Sequence, residues 1–200
     1  MAFFASYQGE AEAATWILLY YLWDVPTIIP ENYGSAAAVR AAYHIAKGNV
    51  PAAKSVILRS FKIVVAITCV SMILLFIFRQ PLVSLLTNDE TLSQMLVEIV
   101  PYICLCEPFL AIGTVASNLN EGIGLYDKST GVYFWVTMLV TLPSAWVFTY
   151  YFQYNIEGLA SALCFGSIVY GVINVDIFMN KKISVESTVN EPKGETDVIA

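Results

Sequence analysis

The sequence predicts an all-α integral membrane protein with five transmembrane helices. Hydrophobic residues make up 58% of the 200-residue chain and charged residues only 13%, whereas about one-quarter of a soluble globular domain is charged. The apolar residues gather in long stretches, and a helix needs roughly 20 such residues to cross a bilayer core. These stretches show no sustained alternation of the kind found in barrel strands. The composition therefore favours a bundle of membrane helices.

The first predicted span covers residues 13–46 and is longer than a bilayer requires. We expect it to bend at Pro26 and Pro30, because proline lacks the N–H that an interior helix position donates. Its last part reads PENYGSAAAVRAAYHIAKGN and combines small residues with ionisable ones. Small side chains let another membrane helix approach closely. A helix stop is predicted at Gly48 and Asn49.

The other predicted spans follow at short intervals. They cover residues 57–78, 92–119, 132–152 and 156–179. The polar tail, residues 181–200, has no apolar periodicity and is predicted to be disordered and cytosolic. The predicted organisation is one membrane unit, residues 1–180, followed by this tail.

Basic residues predict the orientation, because Lys and Arg collect in short cytoplasmic loops. They cluster where the first two spans meet, at Arg40, Lys47, Lys54, Arg59 and Lys62, and they recur between the third and fourth spans at Lys128 and after the fifth at Lys181 and Lys182. The opposite connections contain only Arg79 as a base. The N-terminus is therefore predicted outside and the C-terminus in the cytosol, with a plasma or a vacuolar-type membrane left open. An odd number of spans with an outside start and no signal peptide is typical of a fragment.

Several function classes are not supported by the sequence. The cysteines fall inside predicted spans and are interpreted as small packing residues rather than metal ligands; they are Cys69, Cys104, Cys106 and Cys164. Phosphate-loop, zinc-site and nucleophile signatures are absent. A formal net charge of −6 gives no basic footprint for nucleic acid. We predict no enzyme, no cofactor, no metal site and no nucleic-acid partner.

Two motifs resemble those of multidrug and toxic compound extrusion (MATE) transporters. The first is the helix end in the C-terminal lobe of that family, and the matching positions are Pro30, Gly34, Arg40, His44, Gly48 and Asn49. The second is FRQPLVSLLTND, with Pro81 and Asp89, which resembles an extracellular segment of the same lobe. Gly122 and Gly124 more weakly resemble the turn after the fourth helix of the lobe.

The resemblance implies that the chain holds the last five of the twelve family helices. The family fold has two pseudo-symmetric six-helix lobes, so residues 1–180 would form most of a C-terminal lobe. The missing N-terminal lobe and the first helix of this lobe would lie upstream of Met1 or in a partner chain. Some positions depart from the family pattern, since Ala41-Ala42 replaces Val-Gly and Glu121 replaces the usual arginine before Gly122.

Four acids lie within the predicted spans, where a charged side chain costs roughly 2.5 to 3.5 kcal/mol on insertion scales. They are Asp24 and Glu31 in the first span and Glu98 and Glu107 in the third. The resemblance implies a role in coupling to protons or sodium, because family members couple through acids on the corresponding helices. The carry-over is by helix, since Asp24 and Glu107 each lie about one turn from the usual position. Alternatively, Glu31 and Glu98 lie near the water interface or line a hydrated cavity without coupling.

Aromatic residues of the same two spans are candidates for a substrate cavity, because ring faces attract organic cations. These candidates are Tyr20, Trp23, Tyr33, Tyr102 and Phe109. Packing and lipid contact are the competing roles for each of them.

Three functions remain. The first is a MATE-type secondary antiporter that exports organic cations, drugs or metabolites in exchange for protons or sodium by alternating access. The second is a flippase for lipid-linked oligosaccharides of the same superfamily, whose cavity would be expected to carry bases for pyrophosphate; acids without bases in the spans favour the antiporter. The third is a non-transporting partial lobe or accessory subunit. The expected partners are the lipid bilayer, a small organic solute and the missing lobe.

Overall fold

The computed structural model describes residues 1–190, with side chains for residues 1–125 and 128–180. Within these residues every regular element is helical. The helices are α1 (Ala2–Gln8), α2 (Glu10–Ala46), α3 (Val50–Ile77), α4 (Arg79–Leu86), α5 (Glu90–Gly122), α6 (Tyr126–Val136), α7 (Leu142–Trp146) and α8 (Asn155–Asn190). The π-helical segment Thr137–Thr141 joins α6 to α7, and a second one, Val147–Tyr151, continues α7, so that residues 126–151 form one unbroken rod.

Four parts of the chain are long and apolar enough to cross a membrane by length and composition. They are Val50–Ile77, Glu90–Gly122, Lys128–Tyr151 and Asn155–Asn180, and they correspond to the last four predicted spans. The fifth long helix, α2, is not among them. Its 37 residues include Pro26 and Pro30, and the helix is not interrupted at either proline. The all-α membrane fold is therefore confirmed, and α2 occupies the first predicted span.

Local sequence explains where the helices begin and end. The left-handed backbone of Gly48, with a φ of 71°, ends α2 as predicted. The side-chain oxygen of Asn49 then accepts the N–H of Ala52 at 3.2 Å and caps α3. Asp89 caps α5 in the same way, accepting the N–H groups of Thr91 at 2.8 Å and Leu92 at 3.2 Å.

The last helix is longer than predicted. It continues to Asn190, past the predicted span end at 179 and into the predicted tail. Between Gly171 and Pro192 the sequence contains neither glycine nor proline, so no residue there ends the helix. Residues 191–200 of the predicted tail lie outside the described residues.

The central helix is α5, which packs against α2, α3 and α8. Two apolar clusters surround it: one includes Trp16, Ile99 and Leu159, and the other lies near the α2–α3 turn and includes Ala38 and Ile57. Two small residues of α2, Gly34 and Ala38, pack against α5, whereas Ser35 and Ala36 of the same run are exposed. A Cβ at Gly34 would lie 2.9 Å from Asn118 Nδ2 and 3.2 Å from Val115 Cγ2, so glycine is what permits this close approach.

Candidate functional site

A cavity of about 380 Å³ lies between α2, α5, α6 and α8; we call it the acid cavity. Three carboxylic acids line it, namely Asp24 and Glu31 from α2 and Glu107 from α5. None of its lining residues is Lys, Arg or His. The remaining lining residues are Tyr20, Trp23, Thr27, Pro30, Leu110, Ala111, Thr114, Ser117, Asn118, Tyr133 and Tyr170.

Glu107 is the buried acid of this cavity, with only 2% of its surface exposed. Its Oε2 accepts a hydrogen bond from the indole N–H of Trp23 at 2.5 Å. The two residues are 84 positions apart, so this bond joins the centre of α2 to the centre of α5. A buried carboxyl group is tolerated only where such partners or a bound cation replace water. Glu107 also lines the acid cavity, where its remaining lone pairs can accept a proton or a cation.

The other two acids of the cavity are exposed. Asp24 and Glu31 lie seven residues apart on one uninterrupted helix, so they share a face. They therefore form the open side of the cavity, while Glu107 forms its interior.

The remaining candidate residues lie elsewhere. Glu98 is exposed in a polar groove beside α4, together with Asp89 and Glu90. Tyr33 and Tyr102 pack against the two apolar clusters. Phe109 lines an outer groove between α5 and α8. The structure thus brings together Asp24, Glu31, Glu107, Tyr20 and Trp23, and it places Glu98, Tyr33, Tyr102 and Phe109 outside the acid cavity.

The motif residues occupy turns, caps and close contacts. Pro30 is buried and lines the acid cavity, whereas Arg40 is exposed and His44 is half-buried near the end of α2. Pro81 lies in the first turn of α4. Gly122 contacts α2 closely, since a Cβ there would lie 3.1 Å from the carbonyl oxygen of Ala38. Gly124 has a left-handed φ of 86°.

Sequence reasoning missed the contributions of α6 and α8 to the cavity. Tyr133 of α6 and Tyr170 of α8 meet edge to face, with ring centroids 5.9 Å apart. Aromatic residues are common in membrane spans, so their spacing alone did not distinguish these two from lipid-facing neighbours.

A buried polar cluster continues from the acid cavity between α5, α6 and α8. Ser117, which lines the cavity, hydrogen bonds to Ser129 of α6. Ser129 Oγ also donates to Asn174 Oδ1 at 3.4 Å, and Asn120 Nδ2 donates to the Asn174 carbonyl at 3.2 Å. These four side chains are at most 7% exposed. These hydrogen bonds connect α6 to α5 and α8. They therefore also fix the helix that places Tyr133 at the edge of the cavity.

The sequence model of the MatE family matches residues 1–147 of the chain. The chain belongs to the MatE family. A search among curated proteins found no match. The match to the family model confirms the membership that the motifs predicted.

Solved structures of MATE transporters share the fold of this MatE chain. A multidrug-resistance MATE family transporter of the MOP superfamily in its inward-facing conformation is 17% identical, with a TM-score of 0.84, over 94% of this chain and 43% of that one. A MATE in the bent conformation is 16% identical, with a TM-score of 0.87, over 94% and 42%. The eukaryotic MATE transporter AtDTX14 is 20% identical, with a TM-score of 0.80, over 90% and 41%. The chain thus spans 41–43% of the length of these transporters, as a partial lobe would.

Proposed function

We propose that this MatE chain forms most of the C-terminal lobe of a secondary antiporter, which exports organic cations, drugs or metabolites in exchange for protons or sodium. The observation that carries this proposal is the acid cavity, which combines three acids and several ring faces with no basic side chain.

Each part of the cavity fits one step of such an exchange. Glu107 in the interior binds the coupling proton or sodium ion, because the membrane span around it offers little competing solvation. Asp24 and Glu31 on the open side attract an organic cation, and the faces of Tyr20 and Tyr133 contact it. Because both cations bind within one cavity and repel each other, binding of one favours release of the other.

The structural likenesses support movement of the lobe as a unit. The TM-score is 0.84 against an inward-facing transporter and 0.85 against an outward-facing one. One lobe fold therefore fits both states, which favours alternating access by rocking of two lobes rather than by refolding within this one.

The alternatives predict different cavities or behaviour. A flippase for lipid-linked pyrophosphate would need bases in the cavity, and the lining of the acid cavity contains none. A non-transporting accessory lobe would leave the acids without an effect on transport, which the experiment below examines.

The test uses the complete transporter that contains this chain, reconstituted in liposomes, with ethidium as the organic cation. We expect Glu107→Gln to lower efflux driven by a pH or sodium gradient by about tenfold or more. Applying the two gradients separately identifies the coupling ion.

The matched control is Glu90→Gln, which neutralises an acid of the same helix outside the acid cavity and should leave efflux unchanged. Glu98→Gln tests whether the fourth candidate acid, which lies outside the acid cavity, contributes to coupling; we expect its efflux to be unchanged. Unaltered gradient-driven efflux in both Glu107→Gln and Asp24→Asn would eliminate the proposed coupling role.

A further inference from the structure

The outer groove between α5 and α8 has a volume of about 380 Å³ and opens away from the acid cavity. At 3.6 residues per turn, its α5 residues Phe109 and Ile112 project from the side of the helix opposite Glu107. On α8, Ile168 and Val172 likewise project from the side opposite Tyr170. The full lining is Phe109, Ile112, Ile168, Gly171, Val172, Val175, Asp176 and Met179.

The apolar part of the outer groove is open to its surroundings. Phe109 is 45% exposed, Val172 62% and Met179 49%. Because α5 and α8 are both long and apolar enough to cross a membrane, the surroundings of this face are the acyl chains of lipids. The groove is therefore a depression on the lipid-facing surface.

The length of the outer groove matches one lipid leaflet. Its α8 residues rise by about 17 Å from Ile168 to Met179, and half of a bilayer core is about 15 Å thick. The lower part of α8 lies at the end of the bundle that holds the α2–α3 turn, since Phe178 packs in one cluster with Ala38 and Ile57. An extended acyl chain of the leaflet at that end fits the groove in length and in chemistry.

Asp176 is the only charged side chain among the described lining residues of the outer groove. It is exposed, and it lies four residues before the end of the apolar span at Asn180, about 6 Å along the helix. A carboxylate at this depth is costly unless water or a cation solvates it. A lipid whose chain lies in the groove places its headgroup beside this carboxylate.

Asn180 adds a second polar group at the same place. Its Nδ2 donates to Oδ2 of Asp176 at 3.1 Å. A carboxylate has about four acceptor sites and a side-chain amide has two donor hydrogens, so Asp176 can accept a further donor and Asn180 can donate once more. A headgroup that carries an ammonium next to a phosphate satisfies both, because the ammonium donates to Asp176 and a phosphate oxygen accepts from Asn180. Hydrogen bonds between ionised groups are the stronger kind.

We infer that the outer groove binds a phospholipid with a primary-amine headgroup, of the phosphatidylethanolamine class, with its acyl chain along α5 and α8 and its ammonium on Asp176. A choline headgroup carries the same charge but has no N–H to donate. An anionic headgroup is repelled by the carboxylate. The site lies on the opposite side of α5 from the acid cavity, so the inference stands or falls independently of cation-coupled efflux.

The test compares two photoactivatable phospholipids with the same diazirine-bearing acyl chain, one with an ethanolamine and one with a choline headgroup. The complete protein that contains this chain is reconstituted in nanodiscs with either probe at the same mole fraction. Mass spectrometry then locates the cross-links. We expect the ethanolamine probe to label residues 168–179 about fivefold more than the choline probe, because only its headgroup forms a charge-assisted hydrogen bond.

An internal reference and a filled groove separate this site from general lipid contact. Ile73 of α3 is 58% exposed and lies outside the groove, so both probes should label it equally. Val172→Trp fills the groove and should lower labelling of residues 168–179 by both probes. No labelling of these residues in the unmodified protein would show that another part of the protein covers the groove and would overturn the lipid as its occupant.

The headgroup contact is tested by charge neutralisation. Asp176→Asn keeps the side-chain shape and should remove the preference for ethanolamine while labelling by the choline probe stays the same. The matched control is Glu121→Gln, which neutralises an exposed acid at the same end of the bundle outside the groove and should keep the preference. Equal labelling by the two probes in the unmodified protein, or a preference that survives in Asp176→Asn, would overturn the amine site.

Discussion

At the scale of single residues, the hydrogen bond between Trp23 and Glu107 is expected to stabilise the fold. Trp23→Phe keeps an aromatic ring but removes the donor, and it leaves a carboxyl group that is 2% exposed without this partner. We expect the free energy of unfolding to fall by about 1–3 kcal/mol, the cost of an unsatisfied buried polar group. Thermal unfolding in detergent measures this loss.

The control for that prediction is Trp146→Phe, because Trp146 is 56% exposed and no hydrogen bond of its indole is formed within the described residues. It should change stability by a few tenths of a kcal/mol at most. Equal melting temperatures for Trp23→Phe and the unmodified chain would contradict a stabilising hydrogen bond.

The acids of the site could be predicted from the sequence, whereas most of the cavity wall could not. Asp24, Glu31 and Glu107 attract attention because carboxylates are rare in membrane spans. Glu98 carries the same signal, but α4 folds beside the start of α5 and leaves Glu98 in an exposed groove. Tyr170 carries no signal at all, since its position depends on how α8 packs against α5.

At the level of helices, the contact between α5 and α8 depends on two glycines. A Cβ at Gly113 would lie 2.8 Å from the Cα of Gly171, and a Cβ at Gly171 would lie 2.8 Å from the carbonyl oxygen of Phe109. These neighbours are backbone atoms and cannot rotate away. We therefore expect Gly113→Ala to separate the helices and to lower stability by about 1–3 kcal/mol, as overpacking does.

A matched substitution is Gly131→Ala in α6, where no atom lies within 4 Å of the added Cβ. Alanine is the better helix former by roughly 0.8 to 1 kcal/mol, so this variant should be neutral or slightly more stable. Both variants are compared by thermal unfolding in the same detergent. A Gly113→Ala protein as stable as Gly131→Ala would show that α5 and α8 tolerate a wider spacing.

The start of α5 gives a further prediction. Asp89→Ala removes both side-chain bonds to the first turn of the helix and should cost about 0.5–2 kcal/mol. Asp89→Asn keeps the accepting oxygen and should recover most of that loss. Hydrogen exchange at Thr91 and Leu92 locates the effect, and unchanged exchange in Asp89→Ala would rule out capping as the role of this residue.

Helix positions were predictable from the sequence because each long apolar run is bounded by a cap or a turn residue. Asn49 and Asp89 mark helix starts, and Gly48 marks an end. The π-helical segment Thr137–Thr141 was not predictable, since TMLVT contains no residue that distinguishes a π-helical turn from an α-helical one. Thr141 at its end packs against Gly166 of α8, a contact that the local sequence does not reveal.

For the whole molecule, the order of helices and their turns divides the connections between two ends of the bundle. The turn from α2 to α3 and the turn from α5 to α6 lie at one end, where Gly122 touches Ala38. The rod from residue 126 to 151 then carries the chain to the opposite end, where Gln153 has a left-handed φ of 56°. Basic residues concentrate at the first end, which is the reason for expecting it in the cytosol.

This orientation is tested by cysteine labelling in a variant that lacks the four native cysteines. Gln153→Cys and Lys47→Cys each place one thiol at an exposed position of opposite ends. In intact cells we expect an impermeant maleimide to label position 153 directly and position 47 only after permeabilisation, because the charge distribution puts five bases between residues 40 and 62 on the cytosolic side. The reverse pattern would invert the topology, and the acid cavity would then have to exchange its cations in the opposite order across the membrane.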